Sequence, residues 1–169
     1  MEEVAKLLNA LLAGGVISDY AAFGAVAQMR YTEPVATLDA VILIALPGAH
    51  RLDLLAPVYR FCAEQGYRPE GEAIRVGAWP VQFIPAFDNL SRAALRHAET
   101  GDIKGIPFRV VRADYLAALA INVGRAKDYA RVLALLESEA VTREAIEAVC
   151  AEHGLSEKWR RFKTRFPDA

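Results

Sequence analysis

The sequence predicts an α/β (α+β) fold in which helices pack on a mixed β-sheet and a helical part follows. Helical and strand-like apolar patterns alternate over the first two-thirds of the chain. A hairpin pattern at residues 73–85 predicts antiparallel as well as parallel strand pairs. From residue 113 onward only helical periodicity remains. We therefore predict one domain over residues 1–169, with the sheet in about 1–112 and helices in about 113–169.

Size and composition are those of a single soluble domain. The 169 residues are 54% hydrophobic, which is enough to bury one core. A formal net charge of -1 gives no broad basic surface for nucleic acid or anionic membrane. The N-terminal Met-Glu-Glu lacks the positive charge of a secretory signal, and the longest apolar run is too short to span a bilayer. With Cys62 and Cys150 far apart, we predict a reduced, cytoplasmic protein without a membrane partner.

The N-terminal half supplies the predicted centre of the sheet. Apolar residues at helical spacing before Gly14 predict a first helix. An extended piece at residues 20–23 leads to a small-residue helix that opens at Gly24. Residues 38–46 form a continuous, β-branched apolar run, which is typical of a strand covered on both faces. We take it as the central strand.

The remaining elements are predicted from periodicity and from turn residues. In order, they are a helix from about Leu52 to Gly66, strands at 73–76 and 81–85 joined by residues 77–80, a helix near Leu90, a last strand at 106–111, and helices broken near Gly124, Val141 and Gly154.

Several short motifs, in this order, resemble those of a known family. From Phe23 the chain reads FGAVAQMRYTEPVATLDAVILI, which is similar to the minimal nucleotidyltransferases, where a Gly-Gly or Gly-Ser element precedes an Asp-hydrophobic-Asp strand. It is most similar to the small predicted transferases grouped with the abortive-infection type IV toxins. The stretches VQFIPAF and EHGLSEKWRRF extend the resemblance over most of the chain. The other motif residues are Tyr31, Glu33, Pro34, Thr37, Asp39, Gly124, Arg125, Lys127 and Asp128.

The resemblance implies a nucleotidyltransferase fold that transfers a nucleotidyl group by in-line attack, with divalent ions neutralising phosphate charge. Alternate residues of a strand point to one face, so paired aspartates can share a metal site, and a neighbouring strand adds a third carboxylate. The glycine lets backbone amides approach the phosphates at the start of a helix. By this resemblance Asp39 is the predicted catalytic and metal-binding residue, and the predicted nucleotide-binding residues are Gly24, Ala25, Thr37, Arg125 and Lys127.

The carboxylate set departs from the family pattern. Asp39 is retained, but Val41 stands where the second aspartate is expected. Gln82 is the only polar candidate for the third position, and Ala25 replaces the second Gly or Ser. One carboxylate and a neutral amide compensate little of the charge of Mg²⁺ or Mn²⁺. We therefore expect weak metal binding, a weak or inactive enzyme, and a nucleoside triphosphate as ligand.

Two other functions stay open on the sequence. One is an active, toxin-like transferase acting on RNA or protein, in which Asp88 or Glu33 supplies the missing carboxylate. The other is a protein-interaction scaffold, either as a partner in a toxin–antitoxin pair or as a subunit of a homo-oligomer.

Three segments have a functional and a simpler interpretation. Arg125 and Lys127 suit phosphate binding, or a solvated helix start in an ion pair with Asp128. Residues 31–33 suit the mouth of a pocket or an ordinary turn. The basic and aromatic residues at 158–165 suit contact with RNA or an amphipathic terminal helix.

Overall fold

A computed structural model describes residues 1–48 and 54–167. Within those ranges the chain forms eight helices and seven strands. Their bounds are α1 Glu2–Ala13, β1 Asp19–Phe23, α2 Gly24–Gln28, β2 Ala40–Ala45, α3 Ala56–Glu64, β3 Arg68–Glu70, β4 Ala73–Val76, β5 Trp79–Pro85, α4 Asn89–Arg96, β6 Glu99–Ile103, β7 Ile106–Val110, α5 Ala113–Val123, α6 Ala126–Glu137, α7 Arg143–Glu152 and α8 Ser156–Arg165.

The seven strands form one mixed sheet in the order β3-β4-β5-β2-β1-β7-β6. The β2–β5 and β1–β7 pairs are parallel, and the other neighbours are antiparallel. Strand β2 is the middle strand, as its continuous apolar run predicts, and Ile42 and Ile44 are fully buried on it. The fold class is therefore the predicted mixed α+β class.

Strand β2 is shorter than the predicted 38–46. Leu38 is 92% exposed and lies outside the sheet. The hydroxyl of Thr37 donates to the backbone carbonyl of Asp39 at 3.0 Å, so a local side chain satisfies this carbonyl instead of a neighbouring strand. The first part of the predicted helix 52–66 also differs, because α3 begins at Ala56 and the predicted start at Leu52 lies outside the described residues.

Neither edge strand, β3 nor β6, was predicted from the sequence. All three residues of β3 are exposed, and the strand contains Pro69, which is tolerated only where no inward ladder bond is needed. Strand β6 reads ETGDI and carries no run of apolar residues. An edge strand has a neighbouring strand on one side only and can stay largely exposed, so it needs little apolar patterning. The periodicity of apolar residues therefore does not predict it.

The hairpin turns are tighter than predicted. Val76 pairs directly with Trp79, so the loop between β4 and β5 is two residues long and β5 begins earlier than residue 81. The β6–β7 loop is also two residues long, with φ of 53° at Lys104 and 81° at Gly105. Positive φ at both loop residues is what a two-residue hairpin of this hand requires, and a Lys-Gly pair is a weak sequence signal for it.

Helix α5 joins the sheet part of the chain to the C-terminal helices. It contacts α2 and α4, which precede it in the chain, and α6, α7 and α8, which follow it, and its alanines let these neighbours approach closely. The breaks after it fall near Gly124, Val141 and Gly154, as predicted. No helix in the described ranges has the length and apolar character needed to cross a membrane.

Helix α8 separates its aromatic residues from its charged ones. Trp159 and Phe162 are buried and stack with ring centroids 5.3 Å apart. Arg160 and Arg161 point outward and pair with Glu157 one turn earlier. The structure therefore agrees with an amphipathic terminal helix, because the aromatic rings belong to the core rather than to a nucleic-acid surface.

We expect Trp159→Ala to lower the free energy of unfolding by about 3–5 kcal/mol, since it removes a large buried ring and leaves a cavity. Urea unfolding followed by circular dichroism measures this change. Arg160→Ala, on the exposed face of the same helix, is the matched control and is expected to leave the unfolding midpoint nearly unchanged. Equal losses in the two variants would contradict the assignment of Trp159 to the core.

Candidate functional site

Strands β1, β2 and β5 bring the motif residues to one face of the sheet. Val41 pairs with Phe23 on β1 and with Gln82 on β5. Paired residues of neighbouring strands point to the same face, and residues two apart on one strand do so as well. Asp39 precedes Val41 by two residues and thus lies at the entrance to this face. The three predicted carboxylate positions, Asp39, Val41 and Gln82, are together.

Gly24 makes the turn from β1 into α2. It is buried and has a φ of 65°, a left-handed conformation that side chains other than glycine rarely adopt. A Cβ added to it would lie 3.9 Å from the Cβ of Val41, so this glycine is adjacent to the predicted metal face. Helix α2 has only five residues, so its dipole would attract a phosphate less strongly than the motif implies. Ala25 follows and is half-buried.

Asp39 has a free carboxylate next to one local partner. The Thr37 hydroxyl lies 3.0 Å from the backbone carbonyl oxygen of Asp39 and 3.4 Å from its Oδ1, and its single proton is donated to one of them at a time. Among the described residues, no lysine, arginine or histidine pairs with the Asp39 side chain. The half-buried carboxylate is therefore available to a ligand.

The donor atoms on this face do not fit a two-metal centre. Val41 offers no oxygen, and Gln82 offers a neutral amide. No group of three or more His, Cys, Asp or Glu side chains suited to a metal ion occurs in residues 1–48 and 54–167. Mg²⁺ is held in proteins mainly by carboxylates together with substrate phosphates. Of the three predicted carboxylate positions, Asp39 is thus the only one that carries a charged side chain.

The two substitute carboxylates lie elsewhere. Asp88 caps the N-terminus of α4, where its side chain accepts from the Ser91 amide and hydroxyl, each at 2.8 Å. It follows the C-terminal end of β5, whereas Asp39 precedes the N-terminal end of the parallel strand β2. The stretch from Val81 to Pro85 alone spans about 13 Å. Asp88 therefore cannot join Asp39, and Glu33 lines a separate cavity.

A buried carboxylate organises the start of α6. Asp128 is 2% exposed and accepts from the backbone amide of Arg125 at 3.2 Å and from its Nε at 2.7 Å. Arg131 approaches the same carboxylate at 3.4 Å and donates through Nε to Gln28 Oε1 at 3.2 Å. Gln28 is the last residue of α2, so this network ties α6 to the helix that follows Gly24.

The structure places the two predicted phosphate-binding cations at the same helix start. Arg125 is paired with Asp128, which agrees with the simpler interpretation of the Gly-Arg-x-Lys-Asp element as a structural motif. Lys127 is exposed. A nucleotide-binding role for either side chain stays a prediction.

The pKa of Asp128 is lower than its ordinary value. Burial acts to raise it, but hydrogen bonds from Arg125 and the charges of Arg125 and Arg131 outweigh burial. Burial also lowers the pKa of the Arg131 guanidinium, which remains paired with this carboxylate. Because the pKa of Asp128 is depressed in the folded state, its stabilising effect is present above the unfolded pKa and is lost as pH falls through the folded pKa.

A cavity of about 510 Å³ opens between the segment after α2 and helix α6. Residues 31–33 line it, as one interpretation of the Tyr-x-Glu-Pro stretch predicts. The contribution of α6 was not predicted, because nothing in the sequence indicates that this helix packs against that segment. The lining residues include Gln28, Tyr31, Thr32, Glu33, Glu137 and Ser138, and not Asp39, Val41 or Gln82.

Comparison with known proteins supports the fold. No protein-family model and no curated protein sequence matches the chain. The chain is similar to the solution structure of the antibiotic-resistance factor ANT(2'')-Ia, an aminoglycoside nucleotidyltransferase. The TM-score is 0.57 and the identity 14%, over 99% of this chain and 97% of that chain. The chain therefore has a nucleotidyltransferase-type fold, as its motifs predict.

We expect Asp128→Asn to lower the free energy of unfolding by about 2–3 kcal/mol near neutral pH, because charged hydrogen bonds to two arginines are lost. The difference from wild type should shrink as pH falls below about 3.9, because the Asp128 carboxylate is protonated there first in the unfolded state and, at still lower pH, in the folded state. Chemical unfolding at a series of pH values tests this, with Lys127→Gln as the exposed control. A gap that does not change with pH would contradict the ionic role of Asp128.

Proposed function

We propose that this chain is a nucleotide-binding protein with a nucleotidyltransferase fold whose metal-dependent transfer chemistry is weak or lost. The observation that carries the proposal is the composition of one sheet face. Gly24 and Asp39 stand where the resemblance expects the nucleotide turn and the first carboxylate, while Val41 and Gln82 replace the two remaining carboxylates.

Retention of the turn supports nucleotide binding. The left-handed backbone at Gly24 and the free Asp39 carboxylate are adjacent to the same face. A nucleoside triphosphate brings its own phosphate oxygens to a metal ion, so one protein carboxylate can still contribute to a weak Mg²⁺ or Mn²⁺ complex. A cytoplasmic location, predicted from the sequence, would give this sheet face access to these ligands.

The side chains of the same face also support the loss of metal-dependent nucleotidyl transfer. In-line nucleotidyl transfer with two ions needs ligands that hold both ions about 3.5–4 Å apart. Val41 contributes packing against the Gly24 turn instead of charge. An active transferase acting on RNA or protein, including a toxin of the abortive-infection type, is the lower-ranked proposal, because Asp88 caps α4 and Glu33 lines a cavity that Asp39 does not line. A scaffold or homo-oligomer role would leave this sheet face without a ligand.

The first test is calorimetric titration with each nucleoside triphosphate, in Mg²⁺, in Mn²⁺ and in a chelator. We expect wild type to bind, and Asp39→Ala to weaken metal-supported binding about tenfold while leaving metal-free binding unchanged or slightly stronger, because a negative charge is removed. Glu64→Ala, exposed on α3, is the control.

Absence of nucleotide binding in wild type under all three conditions would reject the proposal and favour a scaffold. Transfer of labelled nucleotide to RNA or protein above the level of Asp39→Ala would reject the loss of chemistry and favour the active transferase.

A second test restores charge at Val41. Val41→Asp should strengthen Mg²⁺-nucleotide binding about tenfold or more. The new carboxylate lies two residues from Asp39 and points to the same face of the strand, so both can bind one metal ion. Val41→Asn has the same size without the charge and separates electrostatics from packing, since both variants bury a polar group and lose stability. Equal binding by the two variants would show that this face is not a former metal site.

A further inference from the structure

We propose that Gln82 recognises the base of a nucleotide bound on the sheet face formed by Phe23, Val41 and Gln82, and that it prefers adenine. This inference rests on the proposed nucleotide binding and adds to it a residue that determines specificity. By the resemblance, position 82 belongs to a metal-binding carboxylate, but a neutral amide compensates no metal charge. An amide instead has an acceptor oxygen and two donor hydrogens, the groups that pair with the edge of a base.

The side-chain amide of Gln82 is free to bind a ligand. It makes no hydrogen bond with any residue in the ranges 1–48 and 54–167, and the residue is half-buried. Among the enclosed side-chain nitrogen and oxygen atoms of these ranges, His153 Nε2 alone lacks a partner, so both amide atoms of Gln82 are accessible from outside. A half-buried amide without a partner favours a ligand that offers it both a donor and an acceptor.

The side chains next to this amide are apolar. Val41 lies beside Gln82 on β2, and Phe23 lies beside Val41 on β1. Both are half-buried, so part of each side chain is open to solvent. Ile84 follows Gln82 by two residues, points to the same face and is 40% exposed. Apolar surface around a single amide suits a base, which stacks through its ring and hydrogen-bonds through its edge.

The amide lies apart from the groups that would meet the phosphates. Phe23 directly precedes the Gly24 turn, and it lies two strands away from Gln82, which is about 9–10 Å. Asp39 directly precedes β2, on the far side of Val41 from the C-terminal end of the strand. Phosphates and a metal ion near Gly24 and Asp39 therefore leave the β5 side of this face for the base.

The hydrogen-bonding groups of an amide match adenine. The 6-amino group of adenine donates to the amide oxygen, while the neighbouring ring nitrogen accepts from the amide N–H, so two bonds form at once. Guanine is matched better by arginine or lysine, whose donors meet its O6 and N7 acceptors. None of Phe23, Val41 and Ile84, the side chains next to Gln82, supplies such a donor.

The experiment is a titration of ¹⁵N-labelled protein with adenosine in the presence of a chelator, followed by amide shifts. Adenosine has no phosphate, so neither a metal ion nor the Gly24 turn contributes to its binding. Purine riboside is the matched probe, because it keeps the ring and the ribose and lacks the 6-amino group. We expect adenosine to shift residues 22–24, 40–43 and 81–85 and the side-chain amide of Gln82, and purine riboside to bind about fivefold more weakly.

Two variants separate recognition of the base from packing. Gln82→Leu removes the amide and should bind adenosine and purine riboside equally. Gln82→Glu keeps the shape and loses the donor, so adenosine should bind about fivefold more weakly. Mg²⁺-ATP should bind more tightly to Gln82→Glu, because a carboxylate returns to the third metal position. A residue that only packs would not give these opposite changes. Glu64→Gln, exposed on α3, is the control and should behave as wild type does.

The proposal is overturned by absence of shifts with adenosine, by shifts confined to other residues, by equal binding of adenosine and purine riboside to wild type, or by an unchanged preference in Gln82→Leu. Mg²⁺-supported nucleotide binding that depends neither on the base nor on Gln82 would reject base recognition and leave the proposed function intact. Conversely, a preference for adenosine, with Asp39→Ala binding Mg²⁺-ATP as wild type does, would support base recognition and reject the metal-binding role of Asp39.

Discussion

The pairing of β2 between β1 and β5 is the constraint on which the rest of the site depends. This register fixes Val41 opposite both Phe23 and Gln82. A shift by one residue would turn every side chain of β2 to the other face and would place Ile42 and Ile44 where Val41 and Leu43 now pack. Burial of that apolar run therefore also fixes where Asp39 enters the sheet. The same strand that stabilises the fold decides which side chains a nucleotide would meet.

A second constraint lies outside the sheet, at the carboxylate of Asp128. Through Arg131 it connects α6 with the end of α2, and through Arg125 it caps the first turn of α6. Partly buried ion pairs of this kind position elements more than they add net stability, because desolvation offsets much of the attraction. The consequence is a fixed gap between α6 and the segment that leads to Asp39. The cavity with Glu33 and Glu137 occupies that gap.

Most of the architecture was predictable because burial leaves a strong pattern. The central strand, the helical C-terminal part and its breaks at Gly124 and Gly154 follow from apolar periodicity and helix-ending glycines. The edge strands β3 and β6 were missed because exposed strands need no such pattern. Leu38 was assigned to the central strand on hydrophobicity alone. The Thr37 hydroxyl donates to the Asp39 carbonyl, and strand β2 begins only at Ala40, two residues after Leu38.

The sequence by itself determined the elements, the central position of β2 and the identity of Asp39, Val41 and Gln82, because these follow from local spacing and from motif order. Only the tertiary structure decided which of the candidate carboxylates meet. It placed Asp88 in a helix cap and Glu33 in a cavity wall, and it brought Glu137 from a distant helix toward Glu33. The reason is physical: strand register and helix packing set distances between residues far apart in the chain, and a single sequence encodes those distances only through the whole core.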